Sequence, residues 1–338
     1  MCHRDGQTGI CEQMAKRLGE PTEHETAQGA GAHTSDSFRV DKFTATAHRI
    51  GPAGRALLHE LTVGVFWAHR ARDLDVFIAL GEGYLAIDEI GRALGSAMCF
   101  RAHEDFAMLG MMVTAPRLQT MGTGRWLLRK VMDDCPECDL RLSATRQGYR
   151  LYKDAGFVPL GTVWQHQGTT RPIYLPDAVS GIALREMEPG DAAAIRALDT
   201  QAYGAARDRT IDKMLQLSDG VVAEADGEIC GFALRRPFGR GRVIGPLVAE
   251  TEHIAMMLAA PLIQRSEGEI VRCWRGGADA HAIRPGRPVP DSAACRDAAS
   301  ASPSAPNHAP ACRSPAPGCG PARHRAAAPA SDPPRRRC

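Results

Sequence analysis

A chain of 338 residues is long enough for two domains, and its 44% of hydrophobic residues is ordinary for a soluble globular protein. It has no run of 18 apolar residues, and its first 20 residues lack the apolar core of a signal peptide, so a cytoplasmic location is expected. The net charge of +2 combines +5 from residues 266–338 with −3 from residues 1–265, and this mildly acidic main part does not predict nucleic-acid binding.

The first elements follow a polar N-terminal segment. Residues 1–36 are rich in Gly, Thr, Glu and His and are expected to be disordered. A strand is predicted over 42–50, and an amphipathic helix over 55–69. Two further strands, 84–88 and 94–100, are joined by a polar turn.

A strand, a glycine-containing turn and a helix occupy the centre of the chain. Residues 106–114 form an apolar run that ends at Pro116, which indicates a buried strand, and residues 125–132 have helical spacing. The turn between them reads Gln119-x-x-Gly122-x-Gly124. The first N–H groups of a helix have no intrahelical partner and attract anions, while glycines let a pyrophosphate approach the backbone.

Two common phosphate-binding templates do not fit this turn. No Lys follows Gly124, as a mononucleotide-binding loop requires, and Leu127 stands where a dinucleotide-binding fingerprint has its third glycine. From this segment alone, an anion-binding turn and a glycine loop without a ligand both remain open.

A second motif, Leu151-Tyr152-x-x-x-Gly156-Phe157, follows a predicted strand at 140–144 and precedes another at 158–164. The two motifs, in this order, resemble those of the GNAT-type N-acetyltransferases, in which Gln-x-x-Gly-x-Gly binds acyl-CoA. The resemblance implies an α+β fold whose mixed, mostly antiparallel sheet is flanked by helices, in a domain at 37–175.

The resemblance also implies a reaction and its residues. Acetyl-CoA is the expected co-substrate, and its acetyl group passes to a primary amine by direct attack in a ternary complex. The backbone of Met112, Val113 and Thr114 would hold the pantetheine arm like an added strand. The pyrophosphate would lie against the turn formed by Gln119, Thr120, Met121, Gly122, Thr123, Gly124 and Arg125.

Two residues are expected to act on the reacting atoms. The backbone N–H of Met112 would stabilise the oxyanion, and Tyr152 would protonate the leaving thiolate. The alternative for Tyr152 is an aromatic ring that only packs on the sheet.

The acceptor side is less defined. Glu104 and Asp105 could face the cleft, as could His103, or they could form a solvated turn. His166 could line the acceptor side or be structural, and a water relay could replace any side-chain base. A small-molecule or protein amine is the expected partner, without nucleic acid or membrane, and homodimer formation stays open.

No metal site is predicted. Cys135 and Cys138 have the spacing of a zinc knuckle, but no second close pair of Cys or His accompanies them. Two incidental thiols in a loop are the preferred interpretation.

A second unit at 181–265 repeats the order strand, helix, hairpin, strand and helix, and it resembles the C-terminal half of tandem GNAT proteins. Glu250 and Glu252 occupy the turn that corresponds to the glycine motif, and their charges would repel a pyrophosphate. This half is therefore expected not to bind CoA.

The second unit is also expected to be partial. From Ser266 onward the chain contains no Leu, Phe, Tyr, Met, Lys or Thr and holds 12 of the 23 prolines. Residues 266–338 are therefore expected to form a disordered tail, of the kind that an out-of-frame reading of a GC-rich gene produces. A partial second unit also favours an alternative function: a catalytically inactive, acyl-CoA-binding or regulatory GNAT-like module.

Overall fold

A computed structural model describes residues 7–16, 34–103 and 106–276. Its strands are β1 (Gln7–Lys16), β2 (Ser37–Val40), β3 (Phe43–Arg49), β4 (Glu82–Ile87), β5 (Ala93–His103), β6 (Phe106–Thr114), β7 (Asp139–Thr145), β8 (Val158–Thr169), β9 (Ile182–Glu186), β10 (Asp219–Ala225), β11 (Glu228–Phe238), β12 (Gly241–Ala249) and β13 (Ile270–Gly276). Its α-helices are α1 (Arg55–Gly64), α2 (Ala71–Leu80), α3 (Thr123–Asp133), α4 (Tyr149–Asp154), α5 (Ala192–Tyr203), α6 (Asp208–Leu217) and α7 (Glu252–Gln264).

The strands form one sheet in the order β2-β3-β4-β5-β6-β7-β1-β8-β13-β12-β11-β10-β9. Among the described strands, β6–β7 and β12–β13 are the parallel pairs, and all the others are antiparallel. This is the predicted α+β fold with a mixed, mostly antiparallel sheet. The N-terminal half contributes β1–β8 and the C-terminal half β9–β13, and the two halves join through the β8–β13 ladder.

Helices cover both faces of the N-terminal half. The Phe100 ring on β5 contacts Phe77 of α2 at a centroid distance of 5.9 Å. A methyl group built on Gly95, five residues earlier on β5, would lie 3.0 Å from Leu127 of α3. Because side chains alternate along a strand, α2 and α3 pack on opposite faces.

Where the sequence predicted a single helix, the structure has two. The helix predicted over 55–69 ends at Gly64, and a second helix, α2, contains the apolar run at 76–80. Between them Phe66 adopts a φ of 59° and is 96% exposed. Its side chain therefore faces solvent from a turn and is not part of the apolar face of a helix. No helix within the described ranges is long and apolar enough to cross a bilayer.

The prediction of disorder for residues 1–36 is wrong for Gln7–Lys16, which form β1. This strand pairs with β7 on one side and β8 on the other, and Met14 is fully buried. Its sequence lacks a clear alternation of apolar and polar residues, so its ladders rather than its own pattern hold it in the sheet. The rest of that segment up to residue 33 lies outside the described residues.

The prediction that the second unit lacks a fifth strand is also wrong. The segment Ile270–Gly276 forms β13, parallel to β12 and antiparallel to β8. Val271 is buried in the core of the C-terminal half. The average composition of residues 266–338 concealed this short apolar stretch. Residues 277–338 lie outside the described part of the chain.

Candidate functional site

The strands β6 and β7 separate halfway along their length. Their parallel ladder runs from the pair Phe106–Asp139 to the pair Leu109–Leu142 and then stops. Beyond that point β7 continues to pair with β1, as at Ser143. The remaining backbone of β6 therefore faces an open wedge between two strands, which is a place where an extended, amide-containing ligand can add to the sheet.

A β-bulge lies on β6 at the mouth of this wedge. Met98 pairs with Gly110 and Ser96 pairs with Val113, so Met111 and Met112 together oppose a single residue of β5. Met111 has a φ of 49°, and its carbonyl accepts a 2.7 Å hydrogen bond from the buried Ser96 hydroxyl. The bulge interrupts the regular ladder at Met112 and changes the direction of its backbone N–H and C=O groups.

The glycine turn leads directly into α3. Gly122 is the N-cap in the left-handed region, with φ 89°, and no side chain caps the helix. Gln119, Thr120 and Met121 are exposed, whereas Thr123 is fully buried and its Oγ1 has no hydrogen-bond partner among the described residues. The free N–H groups of this first turn can receive an anion.

Helix α4 carries Tyr152 just after β7, which is one of the two strands of the wedge. The helix follows β7 directly, and its N-terminal turn is closed by a hydrogen bond from the Gly148 N–H to Thr145 Oγ1 at 3.2 Å. Tyr152 is 7% exposed and contacts Phe157 edge to face at 6.0 Å. Burial raises the pKa of the Tyr152 phenol to about 12. The hydroxyl therefore keeps its proton at neutral pH.

Strand β6, the glycine turn and α4 meet at Gly124. A methyl group built on Gly124 would lie 3.2 Å from Thr114 Oγ1 and 3.5 Å from Leu151 Cδ2. Arg125, the next residue, forms a 3.2 Å ion pair with Asp154 at the end of α4. The fold thus brings both sequence motifs to one place, with Met112, Val113 and Thr114 on the strand between them.

The predicted acceptor-side residues are not gathered in the same way. Glu104 and Asp105 lie outside the described residues, and His103 ends β5 in an exposed position. His166 pairs with Cys273 across the β8–β13 ladder, whereas Gln167 pairs with Arg272. Because neighbouring residues alternate in direction, His166 points to the face opposite Gln167 and Arg272.

Sequence reasoning missed a cluster on that other face, formed by His69, Arg236, Arg272 and the rings around them. These residues come from an interhelical loop and from two strands of the C-terminal half. No motif or spacing links them, so only the fold could reveal the cluster.

The two cysteines with zinc-knuckle spacing are buried, and Cys135 Sγ lies 2.9 Å from the Sγ of Cys99. This contact, with help from the Arg101 guanidinium, lowers the pKa of the Cys135 thiol despite its burial. Within the described residues, no group of three or more His, Cys, Asp or Glu side chains is arranged to hold a metal ion.

The start of α7 differs from that of α3. The Thr251 side chain caps α7 by accepting a hydrogen bond from the Ile254 N–H at 3.2 Å. Glu252 adds a negative charge to the first turn. A capped, acidic helix start has fewer free N–H groups and less positive potential for binding a phosphate than the uncapped glycine turn of α3.

Both halves of the chain match known acetyltransferases. Residues 55–157 match the Acetyltransferase (GNAT) family, and residues 195–273 match the Acetyltransferase (GNAT) domain. An uncharacterized N-acetyltransferase, YitH, of Bacillus subtilis (strain 168) is 24% identical over 164 residues, which cover 47% of this chain and 57% of that protein. The chain therefore matches just over half the length of this curated relative.

Solved structures share the fold. A putative acetyltransferase from Pyrococcus horikoshii has a TM-score of 0.56 at 20% identity, with 74% of this chain and 94% of that chain covered. A GCN5-related N-acetyltransferase from Sphaerobacter thermophilus gives 0.53 at 19% identity, over 72% and 90%. A tandem GNAT protein from the clavulanic acid biosynthesis pathway gives 0.52 at 13% identity, over 71% and 95%. With a GNAT match in each half, the chain belongs to the GNAT family of acetyltransferases.

Proposed function

We propose that this protein transfers an acetyl group from acetyl-CoA to a primary amine, by direct attack within a ternary complex in the N-terminal half. The observation that carries the proposal is the open wedge between β6 and β7 beside the uncapped start of α3. The wedge suits a pantetheine arm, and the helix start suits a pyrophosphate.

The reacting atoms would lie at the bulge. The Met112 N–H is the proposed donor to the oxyanion that forms when the amine attacks the thioester carbonyl. As the tetrahedral intermediate collapses, the C–S bond breaks and Tyr152 donates its proton to the thiolate. The attacking nitrogen loses a proton to water, and Tyr152 regains one from solvent. Its raised pKa fits a residue that must be protonated before each turnover.

A charge change in the glycine turn tests the cofactor assignment. Met121 is 46% exposed in that turn, so Met121→Glu introduces a negative charge without burying it. We expect acetyl-CoA affinity, measured by isothermal titration calorimetry on the full chain, to fall by about tenfold or more. The cause would be repulsion between the new carboxylate and the pyrophosphate.

Met121→Gln is the matched control, because it has nearly the same shape without the charge. Its affinity should stay close to that of the unchanged protein. A carboxylate near a helix N-terminus stabilises the helix, so weaker binding by Met121→Glu cannot be ascribed to unfolding of α3. Equal affinities in the two variants would remove the pyrophosphate from this turn.

A second candidate is a GNAT-like module that binds acyl-CoA without transferring it. The burial of Tyr152 against Phe157 favours it, because the same contacts suit a packing residue. Release of free CoA thiol with a panel of amines separates the two: the module would bind acetyl-CoA and release no thiol.

A further inference from the structure

Two arginines of the C-terminal half contact an aromatic ring that borders the N-terminal half. The guanidinium carbons of Arg236 and Arg272 lie 5.4 and 5.3 Å from the centroid of the Phe238 ring. The same ring contacts His69, in the loop between α1 and α2, at 5.4 Å. We call Arg236, Arg272, Phe238, His69 and Phe77 the arginine–aromatic cluster.

These two arginines lack the carboxylate partner that several other buried or half-buried arginines in the described chain have. Arg185, Arg207 and Arg235 each form ion pairs with Asp at 2.7–2.8 Å. Neither Arg236 nor Arg272 has a carboxylate within 4 Å among the described residues. Burial lowers the pKa of both guanidinium groups, as expected for buried cations that have no anion in direct contact.

The nearby acid does not neutralise the pair. The Asp73 charge acts on both arginines, but this buried carboxylate already accepts hydrogen bonds from the backbone N–H groups of Arg70 at 2.7 Å and Gly239 at 3.0 Å. Burial lowers the pKa of His69 to about 4, so its imidazole is neutral near pH 7. The Asp73 charge thus acts on both arginines without an ion pair to either.

Both arginines also have N–H donors that form no hydrogen bond among the described residues. Arg236 Nε is buried without an acceptor among the described residues, and its Nη1 donates to the Pro237 carbonyl at 3.3 Å. Arg272 donates from Nε to Gln167 Oε1. A guanidinium carries five N–H donors, so each arginine can still donate to a further acceptor.

A row of rings connects the cluster to the proposed reaction site. His69 contacts Phe77 at 5.3 Å, and Phe77 contacts Phe100 at 5.9 Å. A methyl group built on Gly110 would lie 3.0 Å from the Phe100 ring, and Gly110 immediately precedes the bulge. The cluster therefore shares a face of the sheet with Gly110, two residues before Met112.

We propose that Arg236 and Arg272 bind a carboxylate of the acceptor, so that the substrate class is an amine that also carries a carboxylate. This inference rests on the proposed function. A carboxylate would supply the direct anionic contact that these two arginines lack among the described residues, and a guanidinium fork can receive its two oxygens side by side. The apolar ring surface between would accommodate the carbon chain that separates the amine from the carboxylate.

The test compares acceptors that differ only in this charge. The full chain is assayed at saturating acetyl-CoA with glycine, β-alanine, γ-aminobutyrate and longer ω-amino acids, each paired with its primary amide. We expect the acid to exceed its amide in kcat/KM by about tenfold or more at the chain length that spans from the bulge to the arginines. Most of the difference should appear in KM.

Substitutions at the two arginines test whether they cause the preference for the acid over its amide. Arg236→Gln and Arg272→Gln should each raise KM for the acid by about tenfold while leaving KM for the amide unchanged. Arg272→Lys, which keeps the charge, should retain part of the preference. Arg265→Gln is the control, because Arg265 forms an ion pair with Glu186 and makes no contact with the cluster.

The outcomes distinguish a failure of the proposed acetyl transfer from a failure of the carboxylate assignment. If acetyl-CoA does not bind and no amine is acetylated, the proposed function fails, and this inference fails with it. If amines are acetylated but every amide matches its acid, the carboxylate assignment alone is overturned. This comparison uses the unchanged protein, so it decides the matter even if an arginine variant does not fold.

Discussion

At the residue scale, Tyr152 combines a buried ring with a hydroxyl that holds its proton at neutral pH. We expect Tyr152→Phe to lower kcat by about 10²-fold, because the thiolate would leave without its acid. Acetyl-CoA affinity should be nearly unchanged, since Phe keeps the edge-to-face contact with Phe157. Single-turnover release of CoA thiol, alongside calorimetric binding, measures both quantities.

Tyr149 provides the control for this substitution. It lies one turn earlier on α4 and is half-buried against the same core. Tyr149→Phe should leave the rate within a factor of about three. A Tyr152→Phe protein as fast as Tyr149→Phe would show that water supplies the proton and that Tyr152 only packs.

We expect His69 to give the protein a specific pH dependence of stability. Burial is the main cause of its lowered pKa, the charges of Arg272, Arg236 and His59 lower it further, and Asp73 opposes them. The ordinary value of 6.5 falls to about 4 in the folded chain. Between these two pH values the unfolded chain binds a proton that the folded chain does not, so stability decreases as pH falls through this window.

The prediction is tested with His69→Phe, which preserves a ring among its aromatic neighbours. Between pH 7 and pH 4.5 the unchanged protein should lose more free energy of unfolding than the variant, by on the order of 2 kcal/mol. Urea denaturation of both proteins measures this difference, in which the shared carboxylate titrations cancel. Parallel pH profiles of the two proteins would mean that His69 is protonated normally in the folded state.

At the scale of elements, α3 is held by β2 and by the segment that precedes it. The Trp126 ring stacks on Phe38 at 5.5 Å, and its Nε1 donates to the Ser35 carbonyl at 2.9 Å. Lys130 Nζ donates to the Thr34 carbonyl at 3.2 Å. These contacts position the helix start that would receive the pyrophosphate.

The same packing explains why Gly122 has two roles. A side chain there would be strained at a φ of 89°, and its Cβ would lie 3.0 Å from the Phe38 ring. Substituting Gly122 would therefore disturb folding as well as any ligand. The neighbouring Met121, exposed and in the same turn, isolates the electrostatic effect.

At the scale of the whole molecule, β13 joins the two halves. It is bonded to β8 of the N-terminal half and to β12 of the C-terminal half. Ending the chain after Arg265 should lower the melting temperature by several degrees or cause aggregation, because it leaves the facing edges of β8 and β12 unpaired.

Ending the chain after Gly276 is the matched comparison, since it keeps β13. From the composition of the remaining tail we expect the melting temperature and acetyl-CoA affinity of the full chain to be retained. Differential scanning calorimetry of the two shortened proteins measures the contribution of β13. Equal melting temperatures would show that β13 is dispensable.

The features that the sequence alone determined are those with local signals. The apolar run that became β6, the glycine turn, the start of α3 and the Leu-Tyr motif can each be recognised within a few residues. The hairpin at Asp226-Gly227 is of the same kind, and its strands pair as β10 and β11. The family resemblance, and with it the fold class, rested on these segments.

Only the tertiary structure decided how distant segments complete the sheet and form the arginine–aromatic cluster. Strand β1 has a weak pattern of its own, β13 is a short apolar stretch in a polar tail, and each is held by two partner strands from other parts of the chain. The arginine–aromatic cluster likewise joins residues from positions 69 to 272. Local propensity cannot encode such contacts, since their free energy comes from pairing and burial that arise only when the chain has folded.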